Sequence, residues 1–396
     1  MTFIPSNLKT YFTDPNVTVE VDGVEYKTFK DLNVNRSIDD VAGSFRIVTA
    51  RPSDNSNPFK VGLGINIKLD DVQVMRGKIY ESHIEGDTTN DDIVLSGRDI
   101  TGDIIDSTVP DDSKVFVEGA NIFTITGRVL TSLGADNSIG ILNQSGGLIE
   151  PFSEDEIVSC EVGDTVIEFL LKYCRKRQLF LNTDTFGNLI FFKADGQRVG
   201  NLIINQTSNI SNTVLNYSVK LNVSNRFNKY ICKGQDSDAW VGGDDATVDA
   251  SGEAIDPEIV ESRIHEFKME EDSPSSSDCQ ARAAEESNVR RARGFEYKVT
   301  VQGYKDNITW GVNQFVQVSD DKAGVYGEFL IKGVEFKLNS LQGRHTKLTI
   351  VNKDAYTAEA AINLRTSKEQ DAGNMWMGSV EKVLETTKKF LKGEEL

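Results

Sequence analysis

His83, His265 and His345 are the first candidates for acid–base or metal chemistry, and each stands alone in the sequence. Zinc needs nitrogen and sulfur ligands at short, regular spacing. There is no HExxH, and no histidine lies near a cysteine. Cys160, Cys174, Cys232 and Cys279 form no CxxC, and no two are close in sequence. They are expected to be reduced and to act as small apolar core residues rather than as a disulfide framework. GxSxG, GxxxxGK[ST] and GxGxxG are also missing from the sequence, so neither a nucleophile elbow nor a nucleotide cradle is indicated.

Carboxylates are the remaining source of chemistry. In Asn182–Asn188, NTDTFGN, oxygen-bearing side chains alternate and a glycine follows. No bidentate Glu closes the loop, and strand-like residues flank it, so a hairpin turn is expected rather than a calcium loop. The acidic stretch 236–272 contains Asp244, Asp245, Asp249, Glu253, Asp256 and Glu258. It reads as a long exposed loop or a mobile excursion, with loose cation binding as the alternative. Glycosidic cleavage needs two carboxyl groups roughly 5–10 Å apart. With 61 acidic residues some pair will meet that condition anywhere, and no Glu stands in an apolar setting that would raise its pKa. The expectation is a protein that is not an enzyme, with no cofactor and no metal; a cell-wall hydrolase is the enzyme alternative.

The elements that carry these residues alternate between β and α periods. Val17, Val19 and Val21 alternate with polar residues, and Asp22-Gly23 turns the chain into Val24–Tyr26, a hairpin signature. Ser44–Val48, Ile65–Leu69, Val72–Tyr80 and Ile93–Ser96 continue as short strands. At Asn121 the period changes. Ile122, Ile125, Val129, Leu130 and Leu133 share a helical face, with Asn121 as cap and Gly134 at the C′ position. A second helix starts after Asp164, with Val166, Phe169, Leu170, Tyr173 and Cys174 as its stripe and Thr165/Glu168 at capping-box spacing. Leu179–Leu181 and Leu189–Phe192 then form a hairpin.

Strands return at Leu202–Asn205, Val214–Leu221 and Lys229–Lys233. Ser277–Arg293 reads as a helix, with Ser277 and Gln280 at capping-box spacing and a Glu286–Arg290 pair. Tyr297, Val299 and Val301 restart the sheet, and Trp310–Tyr356 is a run of short strands. The fold class is therefore mainly β with an α+β insertion. Four regions follow: a small antiparallel barrel or sandwich at 1–108, a small α/β module at 109–200, a second β region at 201–356, and a linker with an amphipathic helix at 357–396. In the last of these, Met375, Trp376 and Met377 form an apolar knot, and Val380, Val383, Leu384 and Leu391 an apolar stripe. These seven residues are the candidate partner-contact site.

Composition fits this picture. A chain of 396 residues is long enough for two to four domains, and its 38% hydrophobic content suits several small cores. Its formal net charge of −18 disfavours sequence-specific DNA binding; it does not exclude DNA passing through a channel, where a negative wall would reduce sticking. The N-terminus lacks a secretory pattern, and no apolar run reaches the roughly 20 residues that span a bilayer. A soluble protein is expected.

Five stretches resemble the baseplate hub proteins of Mu-type contractile-tailed phages, the late control protein D group. They are RSIDDVAGSFRI (36–47), VMRGKIYESHIE with IVLSGRDITGDIIDSTV (93–109), VGDTVIEFLLKYCRKRQLFLNTDTFGNLIFF, ARAAEESNVRRARGFEYKVTVQGY, and the segment 310–356. They occur in order and cover much of the chain. The resemblance implies that 1–108 and 201–356 are two tube-like antiparallel β-barrels, and that the chain forms a homotrimer whose paired barrels make a pseudo-sixfold ring. That ring would join the sixfold tail tube to the threefold central spike and line part of the DNA ejection channel. Implied partners are the tail tube, spike, other baseplate proteins and tape measure protein, with DNA only in transit. The implied location is the virion tail baseplate, after assembly in the host cytoplasm. Type VI secretion spikes resemble the same hub but continue into a needle, so here the spike is expected to be a separate polypeptide. The hub or distal protein of a non-contractile tail, or of a tailocin, is the neighbouring alternative.

Overall fold

The computed structural model describes residues 12–13, 17–52, 54, 56–86, 91–111, 119–149, 151–152, 158, 160, 162–177, 179–204, 213–234, 250–269, 276–303, 310–339 and 343–356. Two compact units emerge. The first comprises Met1–Val199, Thr300–Gln314 and Ile331–Leu348; the second comprises Gly200–Val299, Phe315–Leu330 and Thr349–Leu396. The division does not follow chain order, because two late segments belong to the first unit.

The first unit opens with β1 (Phe12–Thr13), β2 (Val17–Val21), β3 (Val24–Tyr26), β4 (Thr28–Phe29), β5 (Asp31–Ser37), β6 (Ser44–Ala50), β7 (Gly64–Leu69), β8 (Val72–Gly86) and β9 (Asp91–Asp99). Asp22 and Gly23 both have positive φ, 51° and 75°, the geometry of a tight two-residue hairpin. Val21 faces Val24 across it, as the Asp-Gly signal predicts. The sheet runs β3-β2-β7-β8-β9-β6-β5, every neighbour antiparallel. β8 is 15 residues long and shifts register between Ile79 and Glu81, a bulge that bends the strand.

The module that follows contains α1 (Gly102–Ile105), α2 (Ile122–Ser132), β10 (Ile141–Gln144), α3 (Val166–Lys176), β11 (Phe180–Thr183) and β12 (Leu189–Phe192). Both expected caps form. The Asn121 side chain accepts from the Thr124 N–H at 2.9 Å, and Gly134 has φ +68° just past the helix. The Thr165 N–H donates to Glu168 Oε2 at 3.0 Å while the Glu168 N–H donates to Thr165 Oγ1 at 3.3 Å, closing a capping box. The buried stripes of α2 and α3 meet β11 and β12 in one core that includes Ile122, Ile125, Val129, Phe169, Leu170, Tyr173, Leu181 and Phe191. Residues 150–161 include several that lie outside the described residues.

The rest of the chain adds β13 (Arg198–Ile204), β14 (Val214–Leu221), β15 (Lys229–Gly234), β16 (Ala250–Ile255), β17 (Ile264–Lys268), α4 (Ser276–Arg293), β18 (Phe295–Gln302), β19 (Gln314–Asp320), β20 (Val325–Asn339), β21 (Gly343–Val351) and a 3-10 turn, Lys353–Ala355. Strands β18, β20 and β21 contribute residues to both units. In the first unit, Gly333–Asn339 of β20 pair antiparallel with β5, Val34 facing Phe336. In the second unit, Tyr297, Val299, Val316, Val318, Phe329, Leu330 and Ile350 are buried, and a separate three-stranded sheet, β16-β15-β17, is backed by α4. The chain is mainly β with four α-helices among the described residues, as the alternating patterns imply.

Two expectations are corrected. The acidic stretch is not one long loop: within its described part Ala250–Ile255 and Ile264–Lys268 are strands, β16 pairing antiparallel and β17 parallel with β15, and residues 256–263 connect them. Residues 236–249 and 270–272 lie outside the described residues. Gln280 does not cap α4; its amide spans the Glu253 backbone, accepting from N–H at 3.1 Å and donating to C=O at 2.6 Å. Sheet and helix approach so closely there that a Cβ on Gly252 would lie 2.0 Å from the Gln280 nitrogen. Gly252→Ala is therefore expected to destabilise the second unit by about 1–3 kcal/mol. The measurement is an earlier urea midpoint with an unchanged slope.

Candidate functional site: buried anchors and exposed assembly surfaces

β5 places Leu32, Val34 and Arg36 in successive inward positions, the first two fully buried. Arg36 is thus a guanidinium where the strand period calls for an apolar side chain. Its guanidinium makes four hydrogen bonds. Nε donates to Val74 O at 3.0 Å, Nη1 to Thr183 O at 2.6 Å, and Nη2 to Asp184 O at 3.0 Å and Asp99 Oδ1 at 2.6 Å. Asp99 is itself inaccessible, and its Oδ2 accepts from the Gly43 N–H at 2.6 Å. Gly43 has to be small, since a Cβ there would lie 2.8 Å from Asn35 O and 3.0 Å from Asp99 Oδ2.

Around this pair the contacts continue. Asn182 Nδ2 donates to Ser37 O and Asp40 O, and the Thr101 and Thr183 hydroxyls meet at 2.6 Å. Arg36 and Gly43 come from the first resembling segment, Asp99 and Thr101 from the second, and Asn182, Thr183 and Asp184 from the third. Sequence reading placed these segments in order but missed that they converge on one ion pair. The available signal was an arginine in phase with Leu32 and Val34.

The NTDTFGN loop is the turn of the β11–β12 hairpin. Asp184 Oδ1 accepts from the N–H groups of Phe186 and Asn188, and Oδ2 from the Asn188 amide at 2.9 Å. The carboxylate is occupied within its own turn. Among the described residues no group of three or more His, Cys, Asp or Glu side chains is arranged to hold a metal.

Burial pushes the Asp99 carboxyl up to about 6, against the pull of Arg36 and the Gly43 N–H. Such a shift is the mark of a general acid in a cleft, but Asp99 has no accessible surface on which to meet a substrate. Its role is structural. The histidines are spread out. His265 stacks between Phe227 and Phe267, with ring centroids 4.9 and 5.3 Å away, and Arg290 Nη2 stands 3.2 Å from its Nε2. Desolvation and Arg290 lower its pKa. His345 is buried on β21, and His83 contacts Glu85 near the exposed C-terminal end of β8. Cys174, Cys232 and Cys279 are buried and outside any disulfide, as expected; Cys160 is half-buried.

In the second unit the matching anchor is Arg226. Its Nε and Nη2 engage both oxygens of the inaccessible Asp256 at 2.7–2.9 Å, and Nη2 reaches Glu258 at 2.6 Å. Tyr297 donates to the buried Asp320 at 2.6 Å, and Asp320 accepts from the N–H groups of Lys322 and Ala323, fixing the β19–β20 turn. Outside these anchors lie surfaces that fit contact rather than catalysis. β14 ends the strand order, with β18 its one strand neighbour among the described residues, and it exposes Leu215, Tyr217 and Leu221. An exposed strand edge of this length is a ready template for another chain. The seven candidate contact residues from Met375 to Leu391 lie outside the described residues. No helix among the described residues is long and apolar enough to cross a membrane.

Comparison with known proteins gives the class first. The fold is that of phage tail proteins. The chain superposes on the 43 kDa tail protein of prophage MuSo2 from Shewanella oneidensis with a TM-score of 0.73 and 23% identity, covering 86% of this chain and 99% of that one. A tail protein from Neisseria meningitidis MC58 also gives 0.73, with 21% identity over 88% of this chain and 99% of its own. The sequence matches point more narrowly, to proteins of the Mu baseplate. Residues 16–99 match the family model of the Mu phage baseplate assembly protein GpP-like N-terminal domain. Over 373 residues the chain is 22% identical to baseplate hub protein gp44 of Escherichia phage Mu, covering 90% of this chain and 93% of gp44. These matches bear out the resemblance to the Mu-type baseplate hub proteins, a family of structural baseplate components.

Arg36→Met is expected to lower stability by about 3–5 kcal/mol at pH 7, because it leaves Asp99 buried without its partner. Asp99 has a folded pKa above its unfolded value, so its protonation favours the folded chain below about pH 4 and that contribution is lost as pH rises through 6. The Arg36→Met deficit should therefore shrink on moving from pH 7 to pH 5. Urea titrations of wild type and variant at both values check this, and Asp99→Asn in the same background should remove the pH dependence of the deficit.

Proposed function

We propose that this chain is the structural hub of a contractile phage tail baseplate. Three copies form a ring, each contributing two tube-like β-barrel modules, so that six similar modules meet the sixfold tail tube and three copies meet the threefold spike. One chain carrying two like modules relieves such a symmetry mismatch without a second gene product. The observation that carries the reading is the near end-to-end match to the Mu hub, 90% of this chain against 93% of gp44. The charge of −18 supports a lumen through which DNA slides during ejection without being held. Partners are the tail tube, the spike, other baseplate proteins and the tape measure protein. Assembly takes place in the host cytoplasm, where free thiols persist, and the final location is the virion.

In this reading Met375, Trp376, Met377, Val380, Val383, Leu384 and Leu391 contact a partner in the assembled baseplate. The three anchors of the two units, Arg36–Asp99, Arg226–Asp256 and Tyr297–Asp320, are buried and hydrogen-bonded, which supports a rigid scaffold acting through its surfaces.

Cryo-electron microscopy of the purified chain, with its solution mass from the same sample, tests the proposal. A threefold ring with six similar modules around an acidic pore is expected. A compact particle with dissimilar domains and a carboxylate-lined cleft that clears peptidoglycan on a zymogram would end the hub reading. Truncation after Ser367 should leave both units folded by circular dichroism while reducing ring assembly with tube and spike proteins.

A further inference from the structure

The outer face of the β16-β15-β17 sheet carries an apolar end that nothing above uses. Ile255 and Ile264 both pair with Lys229, one from each side, so they stand at one level of the same face. They are 68% and 57% exposed. The turn joining β16 to β17 adds Val260 at 89%, and the neighbouring loop adds Val223 at 52%. The opposite face of the sheet is spent on the core, with Tyr230 and Cys232 packed against α4.

This apolar end is held in place. Arg226 clamps Asp256 and Glu258 beneath the turn, Asn228 Nδ2 donates to Ile259 O at 2.8 Å, and Arg263 donates to the carbonyls of Val223 and Ser224. A loop with this bracing cannot collapse to hide its β-branched residues. Further along the same face the surface is ionic, with Lys229–Glu253 and Lys233–Glu266 pairs. The patch is therefore bounded, apolar and rigid, which is the anatomy of a docking site.

The chain also holds an apolar stripe in want of a surface: Met375, Trp376, Met377, Val380, Val383, Leu384 and Leu391. Its route starts close by. Tyr356 is buried, with Arg293 5.9 Å above its ring at the C-terminal end of α4. The patch sits at that same end of α4, since Arg290 reaches His265, next to Ile264, and the carbonyl of Asn225. Eighteen residues, 357–374, separate Tyr356 from Met375. Eighteen residues reach at most about 60 Å, so the sequence length lets the segment come back to the patch from Tyr356. A segment carried on the same chain meets the patch as an intramolecular contact, independent of protein concentration.

We propose that in the free chain the Val223, Ile255, Val260 and Ile264 patch is covered by the chain's own segment from Met375 to Leu391. The segment keeps two apolar surfaces out of water before assembly. Resting on the hub reading, assembly then draws the segment off its own sheet and onto a partner, leaving the patch for a second contact.

The test uses the full-length chain. In a Cys160→Ser background, Ile264→Cys and Val383→Cys are introduced together and oxidised with copper phenanthroline. An intramolecular disulfide, at monomer mass and independent of protein concentration, is expected. A link found only in covalent dimers assigns the segment to a second copy and overturns the proposal, as does no link at all. Independently, Ile255→Asp with Ile264→Asp should raise tryptic cleavage at Lys388 and Lys389 at least about tenfold. Both sites are exposed, so the variant folds; an unchanged cleavage rate overturns the proposal. Ring formation with tube and spike proteins is scored separately. A chain that forms rings but shows no link and no protection loses this proposal and keeps the hub reading.

Discussion

Arg36 occupies the place where the alternation of β5 would put a third apolar side chain, and the first unit is arranged around that exception. A guanidinium cannot be buried without partners for its donors. Here the partners come from β8, β9 and the β11–β12 turn, so satisfying one side chain brings three separate parts of the chain to one point. Asp99 has the complementary need, and the Gly43 N–H meets what Arg36 does not. A well-packed apolar cluster could be as stable. An apolar cluster, however, accepts many small shifts, whereas a fork of directed hydrogen bonds accepts few. The hairpin of the α/β module is thereby fixed to the sheet in one orientation.

The second unit repeats the device with different residues. Arg226 gathers Asp256 and Glu258, and Tyr297 gathers Asp320. In each case the buried polar group pins a turn rather than lining a cleft: the β16–β17 connection in one, the β19–β20 connection in the other. Charge inside this protein sets the position of surface loops. The strongly buried carboxylates Asp256 and Asp320 thus have a structural task, holding turns in place.

Much of the fold was legible because local signals agreed. The Val17–Tyr26 hairpin has both the period and the turn residues, and its Asp22 and Gly23 adopt the backbone that the dipeptide favours. The helices at 122–132 and 166–176 have both stripe and cap. What sequence reading missed is long-range. Arg36 finds its partners 38, 63 and 147 residues away, and no local pattern announces them. β16, ASGEAI, has little β propensity; it is a strand because β15 pairs with it and because Gly252 lets α4 come close. Gln280 had the spacing of a cap but lies beside an unclaimed backbone on β16, and that tertiary contact prevailed over the local one.

The pairing of β5 with β20 has a consequence in time. Asn33 and Glu335 form a hydrogen bond across 302 residues of sequence. On a ribosome adding about 5–20 residues per second, the partner of β5 emerges roughly 15–60 s after β5 itself. Throughout that interval the sheet β3-β2-β7-β8-β9-β6-β5 has β5 as an open edge. The side chains of β5 that alternate with the core are Asp31, Asn33, Asn35 and Ser37, none apolar. On crowded polysomes, where nascent copies of one chain lie side by side, such an edge is poorly suited to stick to its siblings while it waits for its own C-terminal strand.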